Sequence, residues 1–391
     1  MTTEATRTEL DEIRRTLEVV VGIPTTTGNT VDVLHNGGEI FPAMLEAIEQ
    51  AERAIDFVTF IYWSGDIGKR FASALAAKAR DGLRVRVLLD ALGSKPIDDE
   101  MVSEMTDAGC DVRKFRPVLA RHPVRAMNRT HRKLLICDAA VGFTGGVGIA
   151  DQWDGDARSE DEWRDTHFRV RGPAVDGLLG AFIDNWNETE LWLFDPEHDL
   201  TVDHDVSGPS TVQVLRGSSE PGWNDISTAM RTLIRIARRR LRITTAYFVP
   251  DDALIEYLKR AAGDGVEVQI LVPGPHADKR FVQLAGEACY RELMDHGIEI
   301  WSYQTSMLHA KVLTIDGLVA TVGSANFNNR STALDEEVNL VLFDPDITRT
   351  LDEHFDEDLA KSERLDPSRW RRRGPAQRAL EQTVRIIEPW M

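Results

Sequence analysis

Two histidine–lysine pairs are the residues of this sequence best suited to catalysis. They lie in two copies of the pattern His-x-Lys-x4-Asp, which read HRKLLICD and HAKVLTID. The residues of the two patterns are His131, Lys133, Asp138, His309, Lys311 and Asp316. One such match arises by chance in many proteins, and a buried structural histidine explains it equally well. Two matches in phase with a repeat of the whole chain favour a catalytic function.

Strand geometry explains the spacing within each pattern. Residues i and i+2 of a strand face the same side, so His131 projects beside Lys133. A cation next to an imidazole at a strand end suits a tetrahedral anion, for which phosphate is the obvious candidate. Small residues follow each pattern at the same interval, as TGG at 144–146 and VGSAN at 322–326. Their glycines let the backbone approach the anion closely, with Ser324 and Asn326 as further donors.

The elements that must position these pairs also occur twice. Before the first pattern we predict helix 41–52, strand 55–62, helix 68–80 and strand 84–89; before the second we predict helix 226–238, strand 241–249, helix 252–262 and strand 267–272. This alternation predicts an α/β fold in which each half is an α/β/α sandwich around a largely parallel sheet. An acidic segment with Pro and Gly places the linker at 195–211, between domains 1–200 and 209–391.

Composition and charge restrict the class of protein. The chain has 391 residues and a formal net charge of -18, which argues against a general nucleic-acid binder. No apolar run is long enough to span a membrane, and the polar N-terminus lacks the order of a signal peptide, so we expect a cytoplasmic protein. The three separated cysteines suit reduced thiols, and neither CxxC nor HExxH spacing supports a zinc site.

The double pattern resembles the phospholipase D superfamily, and within it most closely the bacterial cardiolipin synthases. The resemblance extends from about Asn36 to Asp358 and includes NRTHRK at 128–133 and WRDTHFRVRGP at 163–173. In the second half EEVNL at 336–340, which leads to Asp344 and Pro345, aligns with the latter segment. The resemblance implies two α/β/α domains related by a pseudo-twofold axis, with one active site where the patterns meet. It also implies cleavage of a phosphodiester through a phosphohistidine, without a metal or a cofactor.

The resemblance further implies a function for each site residue. His131 is assigned as the nucleophile and His309 as the acid and base, although the similarity of the halves leaves this order open. Stabilisation of charge on the phosphate is assigned to Lys133, Lys311, Ser324 and Asn326. Orientation of the imidazoles is assigned to Asp165 and Glu337, whereas Asp138 and Asp316 of the catalytic patterns resemble structural positions. Gly148 stands where the second half has Asn326, so one side lacks that donor.

Three other features have both a functional and a structural interpretation. Residues 112–133 contain eight cations and no acid, which either focus an anionic substrate or form a solvated loop. The residues that end strands 55–62 and 241–249 either line a lipid pocket or belong to the core; they are Tyr62, Trp63, Tyr247, Phe248, Val249 and Pro250. The cationic run RWRRR at 369–373 is interpreted as a solvated face, with contact to lipid headgroups as the alternative.

Three functions are compatible with these residues. The first is a phosphatidyltransferase that joins two phosphatidylglycerols and releases glycerol, the second a hydrolase that forms phosphatidic acid, and the third a nuclease or a non-catalytic nucleic-acid binder. The acidity of the chain and the segment 163–173 favour a lipid substrate. Transfer and hydrolysis share their first half-reaction, so the sequence does not separate them. We expect an anionic phospholipid substrate and peripheral association with the inner face of the membrane.

Overall fold

One mixed sheet continues through both halves of the chain. The computed structural model describes residues 4–117, 128–189, 202–218, 224–328, 330–331 and 334–371. Its strands are β1 (Thr26–His35), β2 (Ala54–Thr59), β3 (Arg84–Asp90), β4 (Asp111–Phe115), β5 (Leu134–Cys137), β6 (Val141–Gly145), β7 (Thr166–Arg171), β8 (Ser210–Gly217), β9 (Arg240–Thr244), β10 (Phe248–Val249), β11 (Glu267–Pro273), β12 (Glu299–Tyr303), β13 (Val312–Ile315), β14 (Val319–Gly323), β15 (Phe327–Asn328), β16 (Glu337–Phe343) and β17 (Ser362–Arg364).

Helices cover both faces of this sheet. They are α1 (Glu4–Val21), α2 (Asn36–Gln50), α3 (Asp66–Arg80), α4 (Asp99–Asp107), α5 (Ala174–Asn187), α6 (Asp225–Ile236), α7 (Asp252–Gly263), α8 (Arg280–Asp295), α9 (Pro345–Leu359) and α10 (Pro367–Arg371). The motif strands β5 and β13 are buried along their whole length, which explains their continuous runs LLIC and VLTI. None of the helices in the described ranges is long and apolar enough to cross a membrane.

The strand order repeats on the two sides of the central pair β1 and β8. The large sheet has the order β17-β12-β11-β9-β13-β14-β16-β8-β1-β7-β6-β5-β2-β3-β4. Outward from β1 the neighbours are β7, β6, β5, β2, β3 and β4, and outward from β8 they are β16, β14, β13, β9, β11 and β12. The predicted α/β fold of two sandwich domains related by a pseudo-twofold axis is therefore confirmed.

The expectation of a largely parallel sheet was wrong. Parallel pairing within the large sheet is confined to β2 with β3, β3 with β4, β9 with β11 and β11 with β12, and its other strand pairs are antiparallel. Each motif strand is followed by a tight turn, so that Cys137 pairs with Val141 and Ile315 with Val319. A turn this short returns the chain antiparallel, whereas a parallel neighbour needs a long crossover.

The aspartates of the two patterns form these turns. Asp138 and Asp316 have φ values of 57° and 56°. The Asp316 carboxylate accepts hydrogen bonds of 2.7 to 2.9 Å from the backbone N–H groups of residues 238, 239 and 240. Asp138 accepts the equivalent bonds from residues 52, 53 and 54. Both carboxylates therefore tie a motif hairpin to a neighbouring strand, at the end of the motif strand away from the histidine.

Replacing Asp316 by alanine is expected to lower the free energy of unfolding by about 2 to 3 kcal/mol, because three N–H groups lose a charged acceptor. Activity per folded molecule should change by less than about twofold, since the carboxylate does not touch the site. Denaturant unfolding measures the first quantity, with Asp264→Ala at an exposed position as the control. An unchanged unfolding midpoint would show that the turn does not need this carboxylate.

The first helix packs on the second half of the chain. Ile13, Leu17 and Val21 of α1 are buried in the same cluster as Leu233 and Ile243. The core of the second half thus includes residues from the beginning of the sequence. The division into domains 1–200 and 209–391 remains a prediction, and residues 195–201 of the proposed linker lie outside the described part of the chain.

The cationic run at the C-terminal end is described as far as Arg371. Within it, the Trp370 ring stacks on Tyr290 of α8 with a centroid distance of 5.6 Å. This tryptophan packs at the edge of the second core, where Leu365 also makes contact. The packing of Trp370 against the core therefore does not support contact of this residue with lipid headgroups. Residues 372 and 373 lie outside the described ranges.

Candidate active site

His131 lies between the two halves of the chain. Thr130 forms a parallel bridge with Glu336, and the backbone N–H of His131 donates to the Glu336 carbonyl at 2.8 Å. The next residue, Glu337, consequently comes beside the imidazole. His131 Nδ1 is 2.9 and 3.1 Å from the two carboxylate oxygens of Glu337 and 3.1 Å from the Ser324 carbonyl. The first histidine is thus oriented by a carboxylate of the second half.

His309 has the equivalent arrangement, with the two halves exchanged. Leu308 bridges Arg164, and the backbone N–H of His309 donates to the Arg164 carbonyl at 2.7 Å. His309 Nδ1 is 2.8 Å from Asp165 Oδ2. Arg164 is itself held by an ion pair of 2.9 Å with Asp358. Each imidazole therefore depends on a carboxylate from the other half, and the predicted single site at the interface is confirmed. The sequence indicated both carboxylates but not that their pairing is crossed.

Burial and the neighbouring charges determine the protonation of these groups. Burial lowers the pKa of His131 to about 4 despite the opposing charge of Glu337. Burial and Lys311 lower the pKa of His309 to about 3. Burial alone would raise the pKa values of Asp165 and Glu337, but their histidine and lysine partners outweigh it and the net pKa is lowered. A neutral imidazole that donates Nδ1–H to an ionised carboxylate keeps its Nε2 lone pair free for reaction.

The two lysines lie beside their histidines, although residues 131–133 and 309–311 precede strands β5 and β13 and the prediction had placed them within a strand. Lys133 Nζ donates to the His131 carbonyl at 2.8 Å, and Lys311 Nζ lies 3.0 Å from His309 Nδ1. Burial is the main cause that lowers the pKa of Lys133 to about 7 and that of Lys311 to about 8. A phosphodiester anion between them stabilises the charged ammonium forms, so the pair suits binding of phosphate.

The Ser324 hydroxyl is engaged with a carboxylate and with the backbone. Its hydroxyl donates to Glu337 Oε2 at 2.5 Å and accepts the Val338 N–H at 3.0 Å. This differs from the expected phosphate donor, because the turn after β14 places the hydroxyl over the carboxylate. Asn326 is buried, and its Oδ1 has no hydrogen-bond partner among the described residues.

Packing explains why Gly148 replaces asparagine in the first half. A Cβ atom at Gly148 would lie 2.8 Å from Ile61 Cβ and 3.3 Å from Trp153 Cη2. Both contacts are closer than real Cβ atoms normally make. Ile61, together with the indole of Trp153, therefore occupies the room that a side chain at this position needs. The two sides of the site are unequal for a steric reason.

Trp153 supports Asp165 in the way that Ser324 supports Glu337. Its Nε1 donates to Asp165 Oδ2 at 2.9 Å. Gly146, the counterpart of Ser324, has no side chain, and a Cβ atom there would lie 2.1 Å from Asp165 Oδ1. Sequence reasoning missed Trp153, because nothing in the sequence distinguishes this tryptophan from an ordinary core residue.

Replacing Gly146 by alanine is expected to lower kcat by about 100-fold, because the new methyl group displaces Asp165 from His309. Thermal unfolding should show that the protein still folds. The matched control is Gly263→Ala, since a Cβ atom at Gly263 has nothing within 4 Å. Full activity of Gly146→Ala would show that catalysis does not need the Asp165 carboxylate in its position beside His309.

The two histidines line one cleft, whose volume including its open mouth is about 1010 Å³. Aromatic rings form much of its wall, from Phe60, Trp63, Trp153, Trp163 and Tyr247. Of the six residues predicted as a lipid pocket, Trp63 and Tyr247 lie here. The other four do not line it, since Tyr62, Phe248 and Val249 are buried in the core and Pro250 lines a separate pocket.

The cationic segment 112–133 does not form a free patch in its described part. Arg113 pairs with Asp111, Arg129 with Asp90, and Arg116 with Glu188 and Glu336. Arg132 is fully buried and donates to the backbone carbonyls of residues 181, 217 and 337. These arginines stabilise the fold around the first motif and carry paired charges, which weakens the interpretation that the run focuses an anionic substrate. Arg121 and Arg125 lie outside the described residues.

Known proteins resemble the chain over nearly its whole length. The family profile described as cardiolipin synthase, PLD-like domain, matches residues 44–153 and 230–359. The cardiolipin synthase of Geobacillus sp. (strain WCH70) is 33% identical over 368 residues, which cover 94% of this chain and 73% of that protein. Cardiolipin synthase 2 of Bacillus anthracis is 34% identical over 360 residues, 91% of this chain and 70% of that protein.

A solved structure supports the fold. The phosphatidylserine synthase of Haemophilus influenzae Rd KW20 has a TM-score of 0.77 and 14% sequence identity. The match covers 97% of this chain and 100% of that chain. At this identity the similarity concerns the arrangement of strands and helices, and the chemistry has to be argued from the residues of the site.

Proposed function

This chain belongs to the phospholipase D superfamily, in the family of cardiolipin synthase PLD-like domains, and from this membership we propose how its site works. It is a phosphatidyltransferase of the cardiolipin synthase type. The observation that supports the proposed mechanism is the crossed pairing of the two histidines. Each imidazole is hydrogen-bonded to a carboxylate of the other half, and both imidazoles line one cleft. The proposed donor and acceptor are both phosphatidylglycerol, taken from the inner face of the membrane to which the protein binds peripherally.

In the first half-reaction His131 Nε2 attacks the phosphorus of the donor lipid. The bond from phosphorus to the glycerol oxygen breaks, and the protonated form of His309, favoured by the bound anion, gives its proton to that oxygen. Glycerol leaves and the phosphatidyl group stays on His131. Lys133 and Lys311 stabilise the charge on the phosphate oxygens.

In the second half-reaction His309, now neutral, removes the proton from a hydroxyl of the acceptor. The hydroxyl oxygen attacks phosphorus, and the bond from phosphorus to His131 Nε2 breaks. The product is cardiolipin and both histidines return to their starting states. Asp165 and Glu337 hold the Nδ1–H tautomers through both steps.

The experiment that tests this function is mass spectrometry of the products formed from phosphatidylglycerol vesicles, with His131→Ala as the control. We expect cardiolipin and glycerol from the unmodified protein and neither from the control. Phosphatidic acid without cardiolipin would make the protein a hydrolase. If neither lipid product appears and labelled DNA is cut instead, the lipid substrate is wrong.

The activity is expected to fall at mildly alkaline pH. A lysine with a lowered pKa is charged below that pKa and neutral above it, so the phosphate site loses charge as pH rises through about 7 for Lys133 and about 8 for Lys311. The quantity to measure is kcat/KM, which reports the free enzyme. Lys133→Arg should move the falling limb to higher pH, because guanidinium keeps its charge. A flat profile up to pH 10 would contradict this prediction.

A further inference from the structure

Two equivalent loops form the mouth of the catalytic cleft. Residues 91–98 follow β3 and residues 274–279 follow β11, and these strands hold the same place in the two halves. The first loop contributes Leu92 and Lys95 to the cleft, and the second contributes Lys279. Whatever enters the site therefore passes between one loop from each half.

Large apolar side chains are exposed on both sides of this mouth. Leu92 is 51% exposed, and Phe281, two residues after Lys279, is 50% exposed. A single exposed apolar residue needs no explanation. Two beside the entrance to a lipid site, one on the loop after β3 and one in the first turn of α8, suit insertion of side chains into the headgroup region of a bilayer.

The two loops of the mouth carry two exposed lysines, Lys95 and Lys279, and two exposed acids, Asp98 and Asp278. Lys95 and Lys279 are exposed, and neither forms an ion pair with any described residue. The Lys279 ammonium lies 5.2 Å from the centroid of the Tyr247 ring, and Tyr247 in turn donates to Asp278, the acidic residue of the same loop. Because the whole chain carries a net charge of -18, its surface as a whole repels anionic lipid, and a mouth whose loops balance cations against acids is repelled less than that average surface.

The lipid substrate also requires that the mouth of the cleft face the membrane. A two-chain phospholipid keeps its tails in the bilayer while its phosphodiester reaches His131 and His309, so the cleft has to open toward the membrane. We propose that the surface formed by Leu92, Lys95, Lys279 and Phe281 docks on a bilayer that contains anionic phospholipid. This inference rests on the proposed function and names the face through which it operates.

Vesicle sedimentation with the full chain tests this docking surface. The probes are phosphatidylcholine vesicles with and without phosphatidylglycerol, and circular dichroism verifies folding. The double variant Leu92→Ser/Phe281→Ser should lower the partition coefficient by about tenfold or more, because it removes both inserted side chains. The double variant Lys95→Gln/Lys279→Gln should lose about fivefold per lysine on anionic vesicles and nothing on pure phosphatidylcholine.

The control is Val206→Ser. Val206 is 64% exposed and lies against Gly28, near the start of β1, whereas the active site is at the His35 end of that strand. It should bind vesicles like the unmodified protein. Binding that is unchanged in both double variants, or weakened equally in the control, would overturn the docking surface.

Turnover of a short-chain phosphatidylglycerol dissolved as monomers separates this inference from the proposed function. Phe281→Ser should convert this dissolved lipid at the normal rate while losing rate on vesicles, which supports docking. Equal loss on both substrates would contradict it. If the unmodified protein binds anionic vesicles but never converts either lipid, the proposed function fails, while the vesicle data still decide on the surface.

Discussion

Alanine at His131 or at His309 abolishes phosphatidyl transfer, with an expected loss in kcat of about 10⁴-fold to 10⁶-fold. Each imidazole performs a step that the other cannot take over, since one holds the phosphatidyl group while the other moves the proton. Both side chains are largely buried, so the carboxylate left without its partner also costs about 1 to 3 kcal/mol of stability. Circular dichroism and thermal unfolding check that the variants remain folded. His296→Ala, at the exposed end of α8, is the control and should retain full activity.

A substrate with a p-nitrophenolate leaving group assigns the two histidines. This leaving group departs without a proton, so His309→Ala should still form the phosphoenzyme and release one equivalent of p-nitrophenolate. His131→Ala should release none, because the nucleophile is missing. A burst from His131→Ala and none from His309→Ala would reverse the order of the two residues. Absence of a phosphoenzyme in the unmodified protein would contradict covalent catalysis.

Amides in place of the two orienting carboxylates are expected to lower kcat by about 10²-fold to 10⁴-fold. In Glu337→Gln the amide can donate to His131 Nδ1, which places the imidazole proton on Nε2 and removes the attacking lone pair. Asp165→Asn has the same effect on His309. Steady-state turnover of phosphatidylglycerol measures both losses.

The crossed pairing predicts different p-nitrophenolate bursts for the two variants. A purely structural role of the two carboxylates would not produce this difference. Glu337→Gln should lose the p-nitrophenolate burst, because it disables His131 across the interface. Asp165→Asn should keep the burst and fail in the later step. Glu336→Gln is the matched control, since this adjacent carboxylate pairs with Arg116 rather than with an imidazole. Equal bursts from Glu337→Gln and Asp165→Asn would contradict the crossed assignment.

The local sequence pattern was sufficient to predict the internal repeat and the motif strands β5 and β13. The spacing of two residues correctly predicted that His131 lies beside Lys133 and His309 beside Lys311, although these residues directly precede the strands β5 and β13 instead of belonging to them. Most helices and strands between residues 41 and 89 and between 226 and 272 formed near their predicted bounds, since apolar periodicity acts over a few turns. The predicted strand 241–249 was wrong beyond Thr244, because residues 248–249 pair with β15 in a separate two-stranded sheet. The resemblance to the phospholipase D superfamily then implied one site between the halves.

Only the tertiary structure decided what each motif contacts. Glu337 meets His131 across 206 residues of sequence and Asp165 meets His309 across 144, through bridges between halves that no local periodicity encodes. The hydroxyl of Ser324 and the indole of Trp153 contact their carboxylates within one half, 13 and 12 residues apart, through turns that periodicity does not describe either. The arginines near the first motif form ion pairs with carboxylates of other elements or of their own strand. Periodicity specifies which side chains share a face, whereas contacts between distant segments depend on how those faces pack, and that is decided when the two halves come together.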